Sequence, residues 1–359
     1  MRPFLALALP AMVLSASAFA QSSVTLYGSI DNGITYVNNV AGSSSIRMQD
    51  GANKSNTLGF LGSEDLGGGQ KALFKLENGF SANTGALGQG GLMFGKQAYV
   101  GLSDNRIGQV TLGRQYDFTV VLEHYLPCLQ CGLFVVENAD FDHISGDRLN
   151  NSVQFQSRDF GGLKIGTMYA FAQNATGSTN SGRAYSFMAE YTNGPFGAIA
   201  VATDINGAPV LASLLGTRSF LGVPVGPPGS VTVVDNQRIL GAGVSYSFGA
   251  LRTSAVYANT RLSNHDVAST DQILYVGAEY RVTPSLLLSS GLSADRFEGS
   301  GWYSADAGID YSLSKRTDVY LDGKYQTATG PGTRSSIALT APSSTDKQVL
   351  ARVGLRHLF

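Results

Sequence analysis

The sequence predicts an all-β fold: a transmembrane antiparallel β-barrel of 16 strands. Charged residues make up 14% of the 359-residue chain, whereas soluble globular domains carry about 25%. Glycine is also frequent, with 44 residues. After residue 20, no apolar run approaches the roughly 20 residues that a membrane helix needs. Only helices and closed barrels satisfy their backbone groups in lipid, so a membrane protein of this composition should be a barrel.

The alternation of apolar and polar residues predicts the strands. From Tyr303 to Leu313 the odd positions are apolar and the even positions are polar or glycine, which is typical of a strand with two different faces. Residues 317–327 repeat the pattern. Sixteen such segments are predicted, at 24–37, 54–65, 70–80, 93–104, 107–114, 148–157, 162–173, 183–193, 196–204, 236–248, 250–260, 271–281, 285–297, 302–313, 317–327 and 347–359.

The connections favour a membrane barrel over a soluble β-sandwich, which alternation alone does not exclude. Very short turns, such as Gly194-Pro195, alternate with longer loops rich in Gly, Ser and Pro. Short turns at one rim and long loops at the other are typical of outer-membrane barrels. The longest loops are predicted at 115–147, 205–235 and 328–346.

Residues 1–20 are predicted to be a cleaved signal peptide, which leaves residues 21–359 as a single barrel domain. Arg2 supplies the positive start, 4–14 the apolar region, and Ala18-Phe19-Ala20 a small-residue cleavage site. The whole chain has a net charge of −1. A near-neutral chain argues against a nucleic-acid partner, because phosphates require a basic face.

The segment 115–147 lacks clean alternation, and it contains acidic residues but no Lys or Arg. A loop of this length in a compact domain is usually functional. We therefore expect it to fold inward as an acidic edge across a water-filled channel. The predicted constriction acids are Asp117, Glu123, Glu137, Asp140 and Asp142.

The last strand ends on an aromatic residue without a tail. Val353, Leu355 and Phe359 share one face of this strand, and Arg352 and Arg356 share the other. A chain that stops on an aromatic residue within a strand is unusual for a soluble protein.

With these features, the chain resembles the general, trimeric, sixteen-stranded porins of the Gram-negative outer membrane. The resemblance extends over essentially the whole mature chain. The residues that carry it are Ser23–Gly28 (SVTLYG), Gly62–Gly69 (GSEDLGGG), Leu76–Phe80 (LENGF), Gln97–Leu102 (QAYVGL), Thr111–Asp117 (TLGRQYD) and Val353–Phe359 (VGLRHLF).

The resemblance implies a passive diffusion channel for ions and small hydrophilic solutes, not an enzyme, in the outer membrane. It further implies a homotrimer with one pore per subunit and a third loop folded into the lumen. We expect contacts with outer-membrane lipid and lipopolysaccharide, and no cofactor. The barrel-assembly machinery is expected to recognise Val353, Leu355 and Phe359.

Strand parity predicts a basic wall opposite the acidic segment, and such rings of side-chain charge set ion preference. Arg148 directly follows the segment and is the strongest candidate. The predicted wall residues are Lys75, Arg148, Lys164, Arg252, Lys324, Arg352 and Arg356. Arg114 has outward parity, so either a bulge turns it inward or it lies at a subunit interface.

Porins of this type often carry arginines where this chain has Thr57, Leu61, Leu92 and Lys96. These differences thin the basic wall while the loop keeps its acids. We therefore expect weaker anion preference than in many relatives, extending to mild cation selectivity.

Cys128 and Cys131 are the only cysteines. A local disulfide formed in the oxidising periplasm is the favoured interpretation, and it would stiffen the constriction. A zinc site with His124 and His143 lacks the usual ligand spacing. No metal is therefore expected.

The sequence leaves three alternatives to a general diffusion channel. A substrate-specific channel is the nearest alternative, because the 205–235 loop with Pro224, Pro227 and Pro228 can cover the entrance. An outer-membrane barrel enzyme would need a Ser/His or Asp/His arrangement, which four histidines and no pocket motif do not suggest. A secreted adhesin or soluble sandwich is the third.

Overall fold

A computed structural model describes residues 22–172 and 180–359, without the side chains of Leu129 and Gln130. The predicted signal peptide, residues 1–20, lies outside the described residues. None of the helices in the two described ranges is long and apolar enough to cross a membrane.

Sixteen antiparallel strands form one closed sheet, which confirms the predicted fold class. Each strand pairs with the next along the chain, and the last pairs with the first. In chain order they are β1 (Ser23–Val40), β2 (Ser43–Asp50 and Thr57–Gly67), β3 (Gln70–Gly79), β4 (Gln97–Asp104), β5 (Gly108–Tyr116), β6 (Arg148–Ser157), β7 (Leu163–Ala170), β8 (Ala184–Asn193), β9 (Phe196–Val210), β10 (Thr232–Phe248), β11 (Leu251–Asn264), β12 (Val267–Thr283), β13 (Leu286–Phe297), β14 (Ser300–Ser312), β15 (Thr317–Thr329) and β16 (Lys347–Leu358).

The second strand differs from the prediction, which placed it at 54–65. It consists of two parts separated by residues 51–56, and β1 pairs with both parts. The part at Ser43–Asp50 was missed because three serines at its start obscure the alternation. The remaining predicted segments each correspond to a strand, with ends that shift by a few residues.

Side chains alternate between the two faces of the wall as predicted. On β15, Leu321 and Tyr325 point outward and are exposed, while Asp322 and Lys324 point inward and are buried. Exposed large apolar side chains recur on the outward positions of the other strands. The outer surface therefore suits contact with acyl chains rather than water.

The connections differ between the two rims. One rim carries short turns, and Gly249 in the 249–250 turn has a φ of +63°, which favours glycine. The opposite rim carries the long connections 80–96, 117–147, 211–231 and 330–346, together with the two-residue turns 41–42, 265–266 and 298–299. The long connections contain four 3-10 helices, Gln89–Gly91, Phe118–Tyr125, Leu129–Phe134 and Ala212–Leu214, and a small hairpin, Ser219–Phe220 with Val223–Pro224.

Candidate pore constriction

Residues 117–147, which join β5 to β6 and are called loop 3 below, pack against the inner side of the wall. The 3-10 helix Phe118–Tyr125 contacts β8 to β11, and Leu129–Phe134 contacts β13 to β15. Within the second helix, the Leu133 amide donates a hydrogen bond to the Ala52 carbonyl at the break in β2, 2.9 Å away. Loop 3 therefore crosses the interior of the barrel.

Inward-facing glycines allow loop 3 to lie close against the wall. A Cβ atom on Gly243 would lie only 2.8 Å from Cβ of Tyr125. A Cβ atom on Gly166 would overlap the ring of Phe118. Carbon atoms pack at about 3.5–4.0 Å, so a side chain at either position would push the loop away from the wall.

Polar side chains fix the first helix to the wall. The Tyr125 hydroxyl donates to the Glu190 carboxylate at 3.1 Å. The Arg252 guanidinium donates to the His124 carbonyl at 2.6 Å. Arg252, one of the predicted wall cations, also pairs with Glu279 at 3.4 Å. Part of its charge is therefore compensated, and one of its roles is to hold the loop.

A disulfide joins Cys128, which directly precedes the second helix, to Cys131 within that helix. Both residues are buried, and the Cys131 amide donates to the Cys128 carbonyl at 2.8 Å. A Cβ on Gly308 would lie 3.1 Å from the Cys131 sulfur, so the turn rests directly on the wall. Among the described residues, no group of His, Cys, Asp or Glu is arranged to hold a metal ion.

Three of the five predicted constriction acids are buried, which corrects the expectation that they face open water. Asp117, Glu137 and Asp142 are 1%, 7% and 1% exposed. The Glu137 carboxylate accepts hydrogen bonds from the amides of Ala139 at 2.7 Å and Phe141 at 3.1 Å. Glu137 and Asp142 therefore organise the returning half of loop 3. Asp117 accepts from the Thr119 hydroxyl at the start of the loop.

Burial also reduces the negative charge that these acids carry. It raises the pKa of Asp140 to about 6. The pKa of Asp142 is raised to about 7, mainly by burial and secondly by the nearby Asp140 carboxylate. The pKa values of Asp117 and Glu137 are raised by burial as well. Carboxyl groups shifted in this direction hold a proton more readily near neutral pH.

His143 is a buried imidazole inside the same half of the loop. Burial acts to lower its pKa, but the carboxylates of Asp147, Asp117, Asp140 and Asp142 together raise it. Its Nε2 atom lies 3.6 Å from the Asp147 carboxylate. The surrounding carboxylates therefore favour the protonated form of His143.

Glu123 is the predicted acid that remains exposed. It lies on the first helix, between the buried residues Leu122 and Tyr125. Within the described ranges it makes no ion pair, so its carboxylate is available to the channel.

A basic cluster lines the part of the wall that loop 3 leaves uncovered. Lys75 pairs with Glu77 at 3.1 Å. Lys96 donates to Thr57, and burial lowers the pKa of Lys96 to about 8, with Glu77 opposing the shift and Arg148, Lys54 and Lys75 adding to it. Lys54, Lys75 and Arg148 therefore lie close enough to Lys96 to disfavour its charge. Lys54 and Lys96 were not predicted as wall residues, although both fall within the predicted segments 54–65 and 93–104. In the structure they lie in the connections just before Thr57 and Gln97, where those strands begin.

The basic wall is defined below as Lys54, Lys75, Lys96 and Arg148. Arg148 lies where this wall meets loop 3. Its guanidinium lies 4.7 Å from the centre of the Tyr116 ring and donates to the Tyr116 hydroxyl at 2.8 Å. It makes no ion pair among the residues that the structure describes. Its charge is therefore free to act on solutes.

Three other predicted wall cations face inward but are neutralised by ion pairs, which corrects their expected role as free charges. Lys324 and Arg352 are buried, and Arg356 is mostly covered. Lys324 also donates to the Phe134 carbonyl at 2.7 Å, so it holds loop 3. The ion-pair partners are Asp306 at 3.5 Å for Lys324, Asp31 at 3.4 Å for Arg352 and Asp310 at 3.0 Å for Arg356.

Lys164 and Arg114 complete the predicted basic residues. Lys164 is half-buried on the inner face and lies opposite Glu190 in the β7–β8 register. Arg114 lies opposite Ala98, two residues along the strand from the outward-facing pair Val100 and Leu112. It therefore keeps the parity of the outward face. Its guanidinium donates to the Gly95 carbonyl at 2.8 Å.

The end of the chain closes the barrel. The Gly28 amide donates to the Phe359 carbonyl at 2.9 Å, and the Phe359 amide donates back to Gly28 at 3.0 Å. A Cβ on Gly28 would overlap the Phe359 ring, so the glycine makes room for it. Val353 and Leu355 point outward and are exposed.

Comparison with known proteins agrees with this architecture. The family model described as Gram-negative porin matches residues 6–331. Outer membrane porin protein 32 of Delftia acidovorans is 29% identical, over 98% of this chain and 99% of its own length. Among solved structures, an anion-selective porin from Comamonas acidovorans superposes with a TM-score of 0.78 at 24% identity, covering 94% of this chain and all of that chain.

OmpT of Vibrio cholerae, solved in a trimer form, superposes with a TM-score of 0.67 at 13% identity, covering 94% of this chain and 99% of that chain. Because these two solved structures are less than 25% identical to this chain, they show its fold alone. The family model spans most of the chain and shows its family. The chain therefore belongs to the Gram-negative porin family and is a β-barrel channel of the outer membrane.

Proposed function

We propose that ions and small hydrophilic solutes cross through the gap between loop 3 and the basic wall. The observation that carries this proposal is the unequal availability of charge on the two sides. The basic wall contributes cations such as Arg148 that lack a carboxylate partner among the described residues. Loop 3 contributes chiefly the exposed Glu123, because its other acids are mostly buried.

This distribution supports a preference for anions, since charge lining the narrow section sets ion preference. It argues against the mild cation selectivity expected from the sequence, which assumed that the loop acids reach the water, and it leaves open how the anion preference compares with that of relatives. The solved neighbour from Comamonas acidovorans is named an anion-selective porin. Its name agrees with the preference proposed for this chain.

The chain is further proposed to act as a homotrimer, as the trimer form of OmpT from Vibrio cholerae does. Its apolar outer band would contact membrane lipid and lipopolysaccharide. The outward residues Val353, Leu355 and the terminal Phe359 would form the signal for the barrel-assembly machinery. Cleavage after residue 20 would leave Gln21 as the mature start.

Liposome swelling tests the diffusion function. Purified protein, folded into liposomes, should admit small neutral sugars quickly and larger oligosaccharides progressively more slowly, because a pore of fixed width excludes by size. Heat-modifiable migration on a gel shows that the barrel is folded. Folded protein that admits none of the sugars and passes no current would rule out an open diffusion channel.

A further inference from the structure

Two adjoining cavities lie at the long-loop rim, above the constriction. The larger has a volume of about 480 Å³ and lies between loop 3, the 211–231 loop and the 330–346 loop. The smaller has a volume of about 300 Å³ and extends toward the start of β6. They share Asp140, Ser145 and Leu211 in their walls, so they adjoin each other, and the pair is called the vestibule groove below.

The larger cavity offers mainly apolar surface. Its apolar wall includes Leu133, Val136, Leu211, Leu214, Pro228 and Leu339. Polar groups of the lining are engaged within the protein: the Asn138 amide donates to Ser336 at 2.7 Å, and the Thr340 hydroxyl donates to the Ile337 carbonyl at 2.7 Å. The Glu137 carboxylate accepts from the amides of Ala139 and Phe141. A cavity of this size and lining is typical of a small-molecule site.

Leu339 adds an unusual feature to this wall. Its φ is +61°, a conformation that is uncommon for a bulky residue. Arg47 donates to the Leu339 carbonyl at 2.7 Å and so holds this backbone in place. The leucine side chain remains 42% exposed at the edge of the cavity. Its apolar surface is therefore presented to whatever enters the groove.

The other end of the vestibule groove carries one uncompensated cation. Arg148 lines the smaller cavity, and its Nε atom is buried without a hydrogen-bond partner. The acids nearby are engaged, since Asp147 pairs with His143 at 3.6 Å and Asp140 accepts from the Ser145 amide at 3.2 Å. The groove therefore has an apolar end and a cationic end.

We propose that the vestibule groove binds amphipathic monocarboxylates, with an aromatic or branched apolar body against Leu339 and Leu214 and the carboxylate on Arg148. Bound solute would then pass from Arg148 to the rest of the basic wall. The inference rests on the proposed channel function and adds a substrate class to it. It favours a substrate-selective channel over one that discriminates by size and charge alone.

Single-channel recording in potassium chloride with added carboxylates tests the proposal. Benzoate should interrupt the current at concentrations at least tenfold lower than acetate, which has the charge without the apolar body. Benzyl alcohol, which has the body without the charge, should interrupt it no better than acetate. Equal concentrations for benzoate and acetate would overturn the proposal.

Two variants locate the site. Leu339→Asn keeps a residue that tolerates positive φ and removes the apolar side chain, so the benzoate-to-acetate ratio should fall about fivefold to tenfold. Leu87→Asn, an exposed leucine outside the groove, should leave the ratio unchanged. A ratio that survives Leu339→Asn contradicts the site. Absence of any chloride current contradicts the channel function itself, so the two failures are distinguishable.

Discussion

Substitution of Gly243 by alanine tests whether wall glycines set the position of loop 3. The new Cβ would lie 2.8 Å from Cβ of Tyr125, and carbon atoms need about 3.5 Å or more. Because Tyr125 Cβ is fixed to its backbone, the loop itself must retreat by about 0.7 Å or more. Overpacking of this kind costs about 1–3 kcal/mol.

The retreat moves the first helix of loop 3, with Glu123, away from the wall and into the channel. We therefore expect Gly243→Ala to lower single-channel conductance, and Gly243→Val to lower it further. Gly323→Ala, at a strand glycine with outward parity, controls for an added methyl group, because the nearest atom to its new Cβ is the Leu350 carbonyl oxygen at 3.8 Å. Unchanged conductance in a folded Gly243→Val variant would refute the reasoning.

Three further predictions concern loop 3 and the basic wall. Burial raises the pKa of Asp140 to about 6 and the pKa of Asp142 to about 7. The contribution of these two groups to the stability of the folded loop is complete below their pKa in the unfolded chain, about 3.9. It is lost as the pH rises through 6 and 7. Hydrogen exchange in loop 3, corrected for intrinsic rates, should be slower at about pH 5 than at about pH 8; the reverse order would contradict the burial argument. Arg148→Glu should shift the reversal potential toward cations while Arg148→Lys preserves it, and identical potentials for the two variants would exclude a charge role for this position. Reduction of the Cys128–Cys131 disulfide should increase open-channel noise, because it frees the turn. A variant with serine at both positions should not respond to reductant. Equal noise before and after reduction would leave the disulfide without a role in the channel.

The strands were predictable because their alternation is a local property of the sequence. On β14, for example, Tyr303 to Leu313 alternates strictly, and the structure places the strand at Ser300–Ser312. The break in β2 was not predictable in the same way. Its residues 51–56 look like an ordinary loop, and the buried Asp31 that organises them lies on another strand, accepting from the Asn53 amide at 2.8 Å.

The inner charges show what alternation leaves undetermined. Parity correctly places Lys324 on the inner face, but its partner depends on register. In the sheet Lys324 lies opposite Asp306, and the two form an ion pair at 3.5 Å. β14 and β15 are joined by the short turn 313–316, but alternation alone assigns only the face of a residue and not its cross-strand partner. The loss of this cation from the channel therefore does not follow from the alternation.

The burial of the loop acids was missed for a related reason. Loop 3 has no periodicity, so the environment of Asp117, Glu137 or Asp142 cannot be obtained from position alone. A usable signal existed on the other side of the contact. Glycines at inward positions, such as Gly166 and Gly243, mark places where another chain segment approaches the strand closely, and they trace the path of the loop across the wall.

The reversal potential of the unmodified channel in a potassium chloride gradient tests the central claim most directly. Because Lys54 and Arg148 of the basic wall make no ion pair among the described residues while most loop acids are buried, the account predicts a potential displaced toward that of chloride. A potential displaced toward that of potassium would show that the loop acids, and not the basic wall, govern the constriction, and it would contradict the account.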